Sequence, residues 1–349
     1  MLTADGRAIL TLQKGQNFYS AIRNDSIMLA GIENEIGKFK IVQFKAMTDS
    51  GIFSLRPINP ASKIRLYDDN LELSVQWGKI QTINIVDIEK YIAGVVEAEG
   101  GTKAPAEYYK TQAVLCRTYI LSHLDKHSGE NFYLCDGTHC QVYNGRSMGN
   151  PLIPEAAFQT KGLVIIDADS ALIIAAFHSN CGGETENVEN VWLLKKPYLR
   201  SINDPYCQNQ RNYSWEQKIS FDTWKAYLQK EGFKINNNVS SSWYNCLQYS
   251  RKVYYKIGND SLPFRKIRND FNLKSAFFSV KVDGNNIVLS GKGYGHGVGL
   301  CQEGAMQMAR LGYNFREIVQ FYYQGVNITD YSNIPVSKNP SLKIMEIVK

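Results

Sequence analysis

His127, Cys135, His139 and Cys140 fall within 14 residues and offer two imidazoles and two thiols in one short segment. Borderline-soft donors of this kind suit tetrahedral Zn2+. The spacing is not that of a zinc finger, and the adjacent His139–Cys140 pair can chelate only if the backbone turns sharply there. Four protein ligands leave no open coordination position, so the metal expected here is structural. His123, one helical turn before His127, is the substitute ligand if His127 points away. The alternative is a pair of buried thiols beside surface histidines. These four are expected to be the only His/Cys cluster in the chain, and with seven cysteines in all a complete disulfide framework is excluded.

A second chemical candidate is a carboxylate on an unexpected face. Asp87 is a suitable N-cap and Gly100-Gly101 a stop, which predicts a helix between them. At about 100° per residue, Ile88, Tyr91, Ile92, Val95 and Val96 make one apolar stripe with Glu99 at its centre. Glu97 falls opposite, beside Lys90, and is expected on the surface. Glu99 is aimed inward, where the two glycines open space. A carboxyl group in a poorly solvated position resists ionisation and can stay protonated near neutrality, the state a general acid needs. The competing expectation is a terminal glutamate that curls into water.

The third candidate is a loop with glycine at alternate positions from Gly291 to Gly299, carrying His296. It follows an apolar strand-like run, Asn286–Ser290, and opens into a helix-like segment from near Cys301 to Gly312. The register fails the G-x-G-x-x-G dinucleotide pattern. His296 could contact a ligand or hydrogen-bond the loop and fix it, and the second reading is the stronger. In His178-Ser-Asn-Cys-Gly-Gly-Glu-Thr185 the paired glycines predict a turn. A Cys181–His178 nucleophile lacks an orienting third group.

The elements that must position these residues read as follows. Residues 1 to about 80 alternate apolar and polar positions in short runs, with turn signals at Asp49-Ser-Gly51 and Pro57–Pro60, and predict β structure. A second helix is expected from Pro105 to about Asp125. Gly162–Phe177, broken at Asp167–Ser170, reads as a hairpin and not a membrane span, and no run of about 18 apolar residues exists. Residues 208–275 look like a mixed insertion. The fold class is α+β, with mixed helices and antiparallel strands around one core. With 349 residues, 44% hydrophobic, 21% charged and a net charge of +6 from dispersed Lys and Arg, the chain reads as an ordinary globular protein with no case for nucleic acid. Met1-Leu-Thr-Ala-Asp lacks the basic and apolar blocks of a signal peptide.

Four motifs come in order: Tyr91-Ile-Ala-Gly-Val-Val-Glu-Ala-Glu99, Gln112-Ala-Val-Leu-Cys-Arg-Thr-Tyr119, Gly182-Gly-Glu-Thr185 and Gly293-Tyr-Gly-His-Gly-Val-Gly-Leu-Cys-Gln302. Together they resemble the stage II sporulation protein D and amidase-enhancer family, over roughly residues 60 to 325. The resemblance implies a lytic transglycosylase of peptidoglycan, with Glu99 as catalytic acid and Arg117 implicated in activity. Gln112, Tyr119, His296 and Gln302 become substrate-binding candidates, although Gln112, Arg117 and Tyr119 cannot all share one helix face. The family's usual Met-Pro after the catalytic glutamate is replaced here by Gly100-Gly101, which bears on the shape of the cleft. Some members carry zinc on ligands that also end in a His-Cys pair.

The implied organisation is a β-rich region at 1–55, a catalytic domain at 56–327 and a peripheral tail at 328–349. The implied partners are peptidoglycan glycan strands and the implied location is extracytoplasmic.

One carboxyl group suffices for this chemistry. A hydrolase uses two. A lytic transglycosylase protonates the oxygen between MurNAc and GlcNAc, then takes the proton from the sugar's own C6 hydroxyl as it closes to 1,6-anhydro-MurNAc. The internal nucleophile has a high effective concentration and needs no activated water. The alternative is a non-catalytic glycan-binding enhancer of a cell-wall amidase, which does not need a carboxylate at Glu99. A zinc-dependent amidase is disfavoured, because the ligand set leaves no open site.

Overall fold

The computed structural model describes residues 1–48, 51–235 and 240–344. Asp49 and Ser50 of the expected turn, residues 236–239 of the expected insertion and residues 345–349 of the expected tail lie outside them. The chain is α+β and forms two compact units. One is built chiefly from Met1–Lys103 and His123–Lys161, the other from Ala104–Ser122 and Gly162–Lys343. Among the described residues no helix is long and apolar enough to cross a membrane.

The first unit begins with the expected β-rich region. An antiparallel sheet runs in the order Lys79–Ile85, Asn70–Gln76, Ile41–Phe44, Leu2–Ala4, Arg7–Leu10. Its alternation places Leu2, Val42, Leu71 and Leu73 in a core shared with Ile27 and Leu29 of a neighbouring meander.

The helix Ile88–Gly100 follows. The Asp87 carboxylate starts it by accepting the N–H groups of Glu89 (2.8 Å) and Lys90 (3.3 Å). Gly101 ends it at φ 70°, a conformation that costs glycine least, with its N–H on the Glu97 carbonyl at 3.1 Å. Ile92, Val95 and Val96 are buried, as the stripe predicts, and so is Ala93 outside it.

The opposite face is also covered, which a wheel with one packing side does not foresee. The helix packs on a second helix, Leu152–Gln159, and lies against the turn at residues 143–149. Gly94 is the point of closest approach. A Cβ there would fall 2.3 Å from the Gly145 carbonyl oxygen and 2.6 Å from the Tyr143 ring.

The second unit is organised by the helix Ala106–Ser122, close to the expected span. Two of its side chains pin the strand Leu163–Ile166: Arg117 donates to the Leu163 carbonyl (2.9 Å), and Thr118 Oγ1 accepts the Ile165 N–H (2.9 Å). That strand leads into the predicted hairpin turn, where Asp167 N–H meets the Ala171 carbonyl at 2.9 Å. It also pairs with Asn327–Asp330. The strand Ser214–Ser220 pairs with Asn286–Lys292, which pairs with Phe278–Asp283. Trp224, Tyr255 and Phe264 fill the core behind this sheet. A short parallel pair, Phe177–His178 with Leu300–Cys301, precedes the helix Gln302–Arg310.

Gly94→Ala should lower stability. Alanine gains about 1 kcal/mol of helix propensity, but the added methyl meets main chain, which cannot swing aside, and overpacking costs about 1–3 kcal/mol. Thermal denaturation of the variant checks this, and an unchanged or higher Tm would mean that the 143–145 turn gives way freely.

Candidate functional site

In the first unit the ligand-type residues converge as their spacing suggests. His127 Nε2 lies 3.4 Å from Cys140 Sγ, and His139 Nδ1 lies 3.8 Å from the sulfurs of both Cys135 and Cys140. All four ligand atoms fall within 4.8 Å of one another. A tetrahedral ion with Zn–S and Zn–N bonds of normal length sets N···S edges of about 3.6 Å. The observed distances bracket that value, so the donor set fits a metal ion. His127 points into the cluster, and His123 is not needed.

The sharp turn required at His139–Cys140 is present, with Cys140 N–H on the Gly137 carbonyl at 3.0 Å. Outside the donors, the Glu130 carboxylate holds His127 Nδ1 at 2.8 Å, leaving Nε2 for the cluster. Phe132 stacks on the same imidazole. Cys140 is buried and its thiol pKa is pushed up, first by that burial and then by the nearby Cys135, whereas His139 is exposed.

The same loop reaches Glu99. Two residues after Cys140, the Val142 N–H donates to Glu99 Oε1 at 2.9 Å. Tyr143 then packs its ring, tilted, against Tyr91 (4.6 Å between centroids) and donates its hydroxyl to Asn84. Glu99 is half-buried and not enclosed, because the end of its helix stays partly open to solvent.

Glu97 requires a correction. It is not a plain surface residue. Its Oε2 accepts the Ser147 hydroxyl (2.7 Å) and the N–H groups of Met148 (3.0 Å) and Gly149 (2.9 Å), so it anchors the turn that covers the second face of the helix.

The other sequence candidates belong to the second unit. Arg117 and Gln112 have no exposed surface. With nothing to present to solvent, the roles open to them in this structure are internal, Arg117 on the Leu163 carbonyl and Gln112 within the core. Gln302 is also buried, and both amides face the Tyr108 hydroxyl, whose pKa burial pushes well up. Tyr119 is half-buried.

His296 accepts the Val298 N–H on Nδ1 at 3.0 Å, a bond that fixes its own loop, and it remains half-buried beside Trp192. His178 Nδ1 meets the Val298 carbonyl at 3.1 Å. Burial and then the Arg268 guanidinium push His296 down to about 4. Burial also lowers His178, with His296 as the next cause. Both rings are therefore neutral at neutral pH. The glycines are what let this loop pass: a Cβ at Gly299 would fall 2.2 Å from the Ala176 carbonyl oxygen, and Gly299 has φ 70°.

An open groove beside this region is lined by Gly182, Gly183, Tyr213, Tyr249, Phe277 and Lys292. It offers aromatic faces of the kind that stack on sugars.

The expectation of a single Cys-containing cluster is also corrected. Cys181, Asp204, Cys207 and Cys301 bring four ligand atoms within 4.8 Å, all buried. Cys181 faces Asp204 and Cys207, which removes the Cys181–His178 nucleophile reading. Only the Asp204-x-x-Cys207 spacing hints at this group in the sequence.

A family model described as "Stage II sporulation protein" matches residues 76–166. That span covers the Glu99 helix and the 127–140 ligand loop. An uncharacterized protein of Brachyspira hyodysenteriae is 29% identical over 93% of this chain and 87% of its own length. Stage II sporulation protein D of Bacillus subtilis is 31% identical over 72% of this chain and 76% of its own. The amidase enhancer of Bacillus subtilis is 28% identical over 69% of this chain but only 40% of its own length. With this identity and coverage, the chain belongs to the stage II sporulation protein D and amidase-enhancer family.

Proposed function

We propose that this protein is an extracytoplasmic lytic transglycosylase that cleaves the MurNAc–GlcNAc bond of peptidoglycan glycan strands. The observation that carries the reading is Glu99, a half-buried carboxyl group at a helix end whose orientation is set by the Val142 N–H. In its acid form Glu99 gives a proton to the glycosidic oxygen. As the carboxylate it then takes the C6 hydroxyl proton while the sugar closes to the 1,6-anhydro product, so one group serves both halves of the reaction. Glu97, engaged by three donors from one turn, is not assigned a chemical role.

His127, Cys135, His139 and Cys140 would hold a structural Zn2+ whose contribution is to fix the loop delivering Val142. His296 and Tyr119, each partly exposed, are the remaining candidates for sugar contact. Arg117, Gln112 and Gln302 are buried and are assigned internal roles and not sugar contact.

The kinship to a protein named amidase enhancer supports a second reading, a glycan-binding partner of a cell-wall amidase without chemistry of its own. The two differ at Glu99. Glu99→Gln keeps an acceptor for Val142, so it should fold as the parent does and lose turnover by about 10²- to 10⁴-fold. Glu97→Gln removes the charge from a three-donor anchor. It should lose about 1–3 kcal/mol of stability and keep its activity per folded molecule. Muropeptide release by both variants, measured below either Tm, checks the assignment, and equal activity losses would end it.

Digestion in ¹⁸O water should leave new chain ends unlabelled and 1,6-anhydro in mass. Labelled reducing ends would identify a hydrolase and a missed second carboxylate.

Cys140→Ser should remove about one equivalent of zinc and reduce thermal stability, because structural zinc contributes directly to folding. Activity should fall with it, through loss of the Val142 position. A preparation made with zinc available that is folded and active, with the 127–140 cluster free of metal, would rule this site out and leave the glycosidic reading on Glu99 alone.

A further inference from the structure

The group beneath the Gly182-Gly183 turn has no part in the chemistry assigned to Glu99. Three thiols and a carboxylate from three separated segments meet there, and none of the four residues has exposed surface. Cys181 Sγ lies 3.3 Å from Cys207 Sγ and 3.2 Å from Asp204 Oδ2. Around a tetrahedral ion with Zn–S bonds of normal length, S···S edges are about 3.8 Å and S···O edges slightly shorter. An ion would therefore open this cluster by only a few tenths of an ångström.

We propose that Cys181, Asp204, Cys207 and Cys301 form a second, fully buried metal site for a borderline-soft divalent cation such as Zn2+.

Two further features prepare the site for thiolates. The Gly183 N–H donates to Cys207 Sγ at 3.2 Å, and the Cys181 N–H to Cys301 Sγ at 3.3 Å. Main-chain donors aimed at sulfur are a recognised means of stabilising metal-bound thiolates. Gly183 can aim its N–H in this way because it sits at φ 97° after Gly182 at φ 75°. The Asp204 carboxyl is buried on the Tyr322 hydroxyl (3.0 Å), the Cys181 thiol and the Tyr206 N–H (2.9 Å), and among the described residues no Lys or Arg hydrogen-bonds it. A buried carboxyl group of this kind is ionised only with a cation beside it.

Three thiolates and a carboxylate exceed the charge of one divalent ion. The buried Arg251, which donates to the Cys181 carbonyl at 2.7 Å, lies close enough to offset part of the excess.

The competing outcome is a Cys181–Cys207 disulfide, which the 3.3 Å separation would permit after a small rotation. It would leave Cys301 and Asp204 converging on nothing. This inference is independent of the glycan-cleavage reading and of the 127–140 cluster.

The test is the full chain produced with zinc available, as the parent, Cys140→Ser and Cys301→Ser. The parent should carry about two zinc ions and Cys140→Ser about one. X-ray absorption on Cys140→Ser should then report three sulfurs per zinc, from Cys181, Cys207 and Cys301. Cys301→Ser should lose that ion and keep the one bound by the 127–140 loop. If Cys301→Ser does not fold, the first two proteins decide the matter. A parent whose entire zinc disappears with Cys140→Ser overturns the proposal. So does a denatured, unreduced chain whose peptide map shows Cys181 linked to Cys207.

Discussion

The bond from the Val142 N–H to the Glu99 carboxylate joins two pieces of the first unit that have separate reasons to be rigid. The helix carrying Glu99 is capped by Asp87, terminated at Gly101 and covered on both faces. The loop carrying Val142 is closed by the turn at Cys140 and stitched to the neighbouring strand where Gln81 donates to the Glu130 carbonyl. Neither piece alone would fix a glutamate at a fraying helix end. Together they hold one carboxylate oxygen, the condition that the proposed proton transfer would require.

The second unit depends on a different constraint, the close passage of the Gly-rich loop along the segment 176–181. Gly293, Gly295 and Gly299 each leave no room for a Cβ, because atoms of that segment already occupy the space. Ladder bonds run between the two stretches, with Asn180 N–H on the Tyr294 carbonyl (3.1 Å) and the reverse bond at 2.8 Å. This passage sets Cys301 beside Cys181 and His296 beside His178. A glycine pattern that first reads as a ligand loop is therefore also a packing device, and His296 serves it by fixing the loop's own main chain.

What was legible in the sequence followed local rules. Asp87 and Gly101 mark the first helix because capping is decided by the residues at the ends. The 127–140 ligands could be grouped because they are near neighbours in the chain. The wheel found the apolar stripe, but it assumes that one face meets water. That assumption failed at Glu97, where residues about fifty positions later supply the donors. The resemblance offered Arg117 and Gln112 as substrate contacts, and the sequence carries no information on how many sides of their helix are enclosed; in the structure both are fully buried. Cys181 and Cys301 lie 120 positions apart, and long-range pairing, including that of Phe177–His178 with Leu300–Cys301, brings them together.

The two thiol clusters differ in a way that bears on how each could serve the protein. The first includes an exposed histidine and a half-exposed cysteine, and it lies within one short loop. An ion there can leave when a few residues open, without unfolding the sheet. The second is closed over by Tyr322, Arg251 and the Gly-rich loop, and its ligands come from segments whose separation is set by the fold itself. Release from such a site requires opening of the unit, so its occupancy follows global stability and not local fluctuation. A metal at the first position would tune the loop beside Glu99, whereas one at the second would act as a cross-link of the folded unit. The first role is tied to the Glu99 helix end, and the second would persist in a relative without a glutamate at that position.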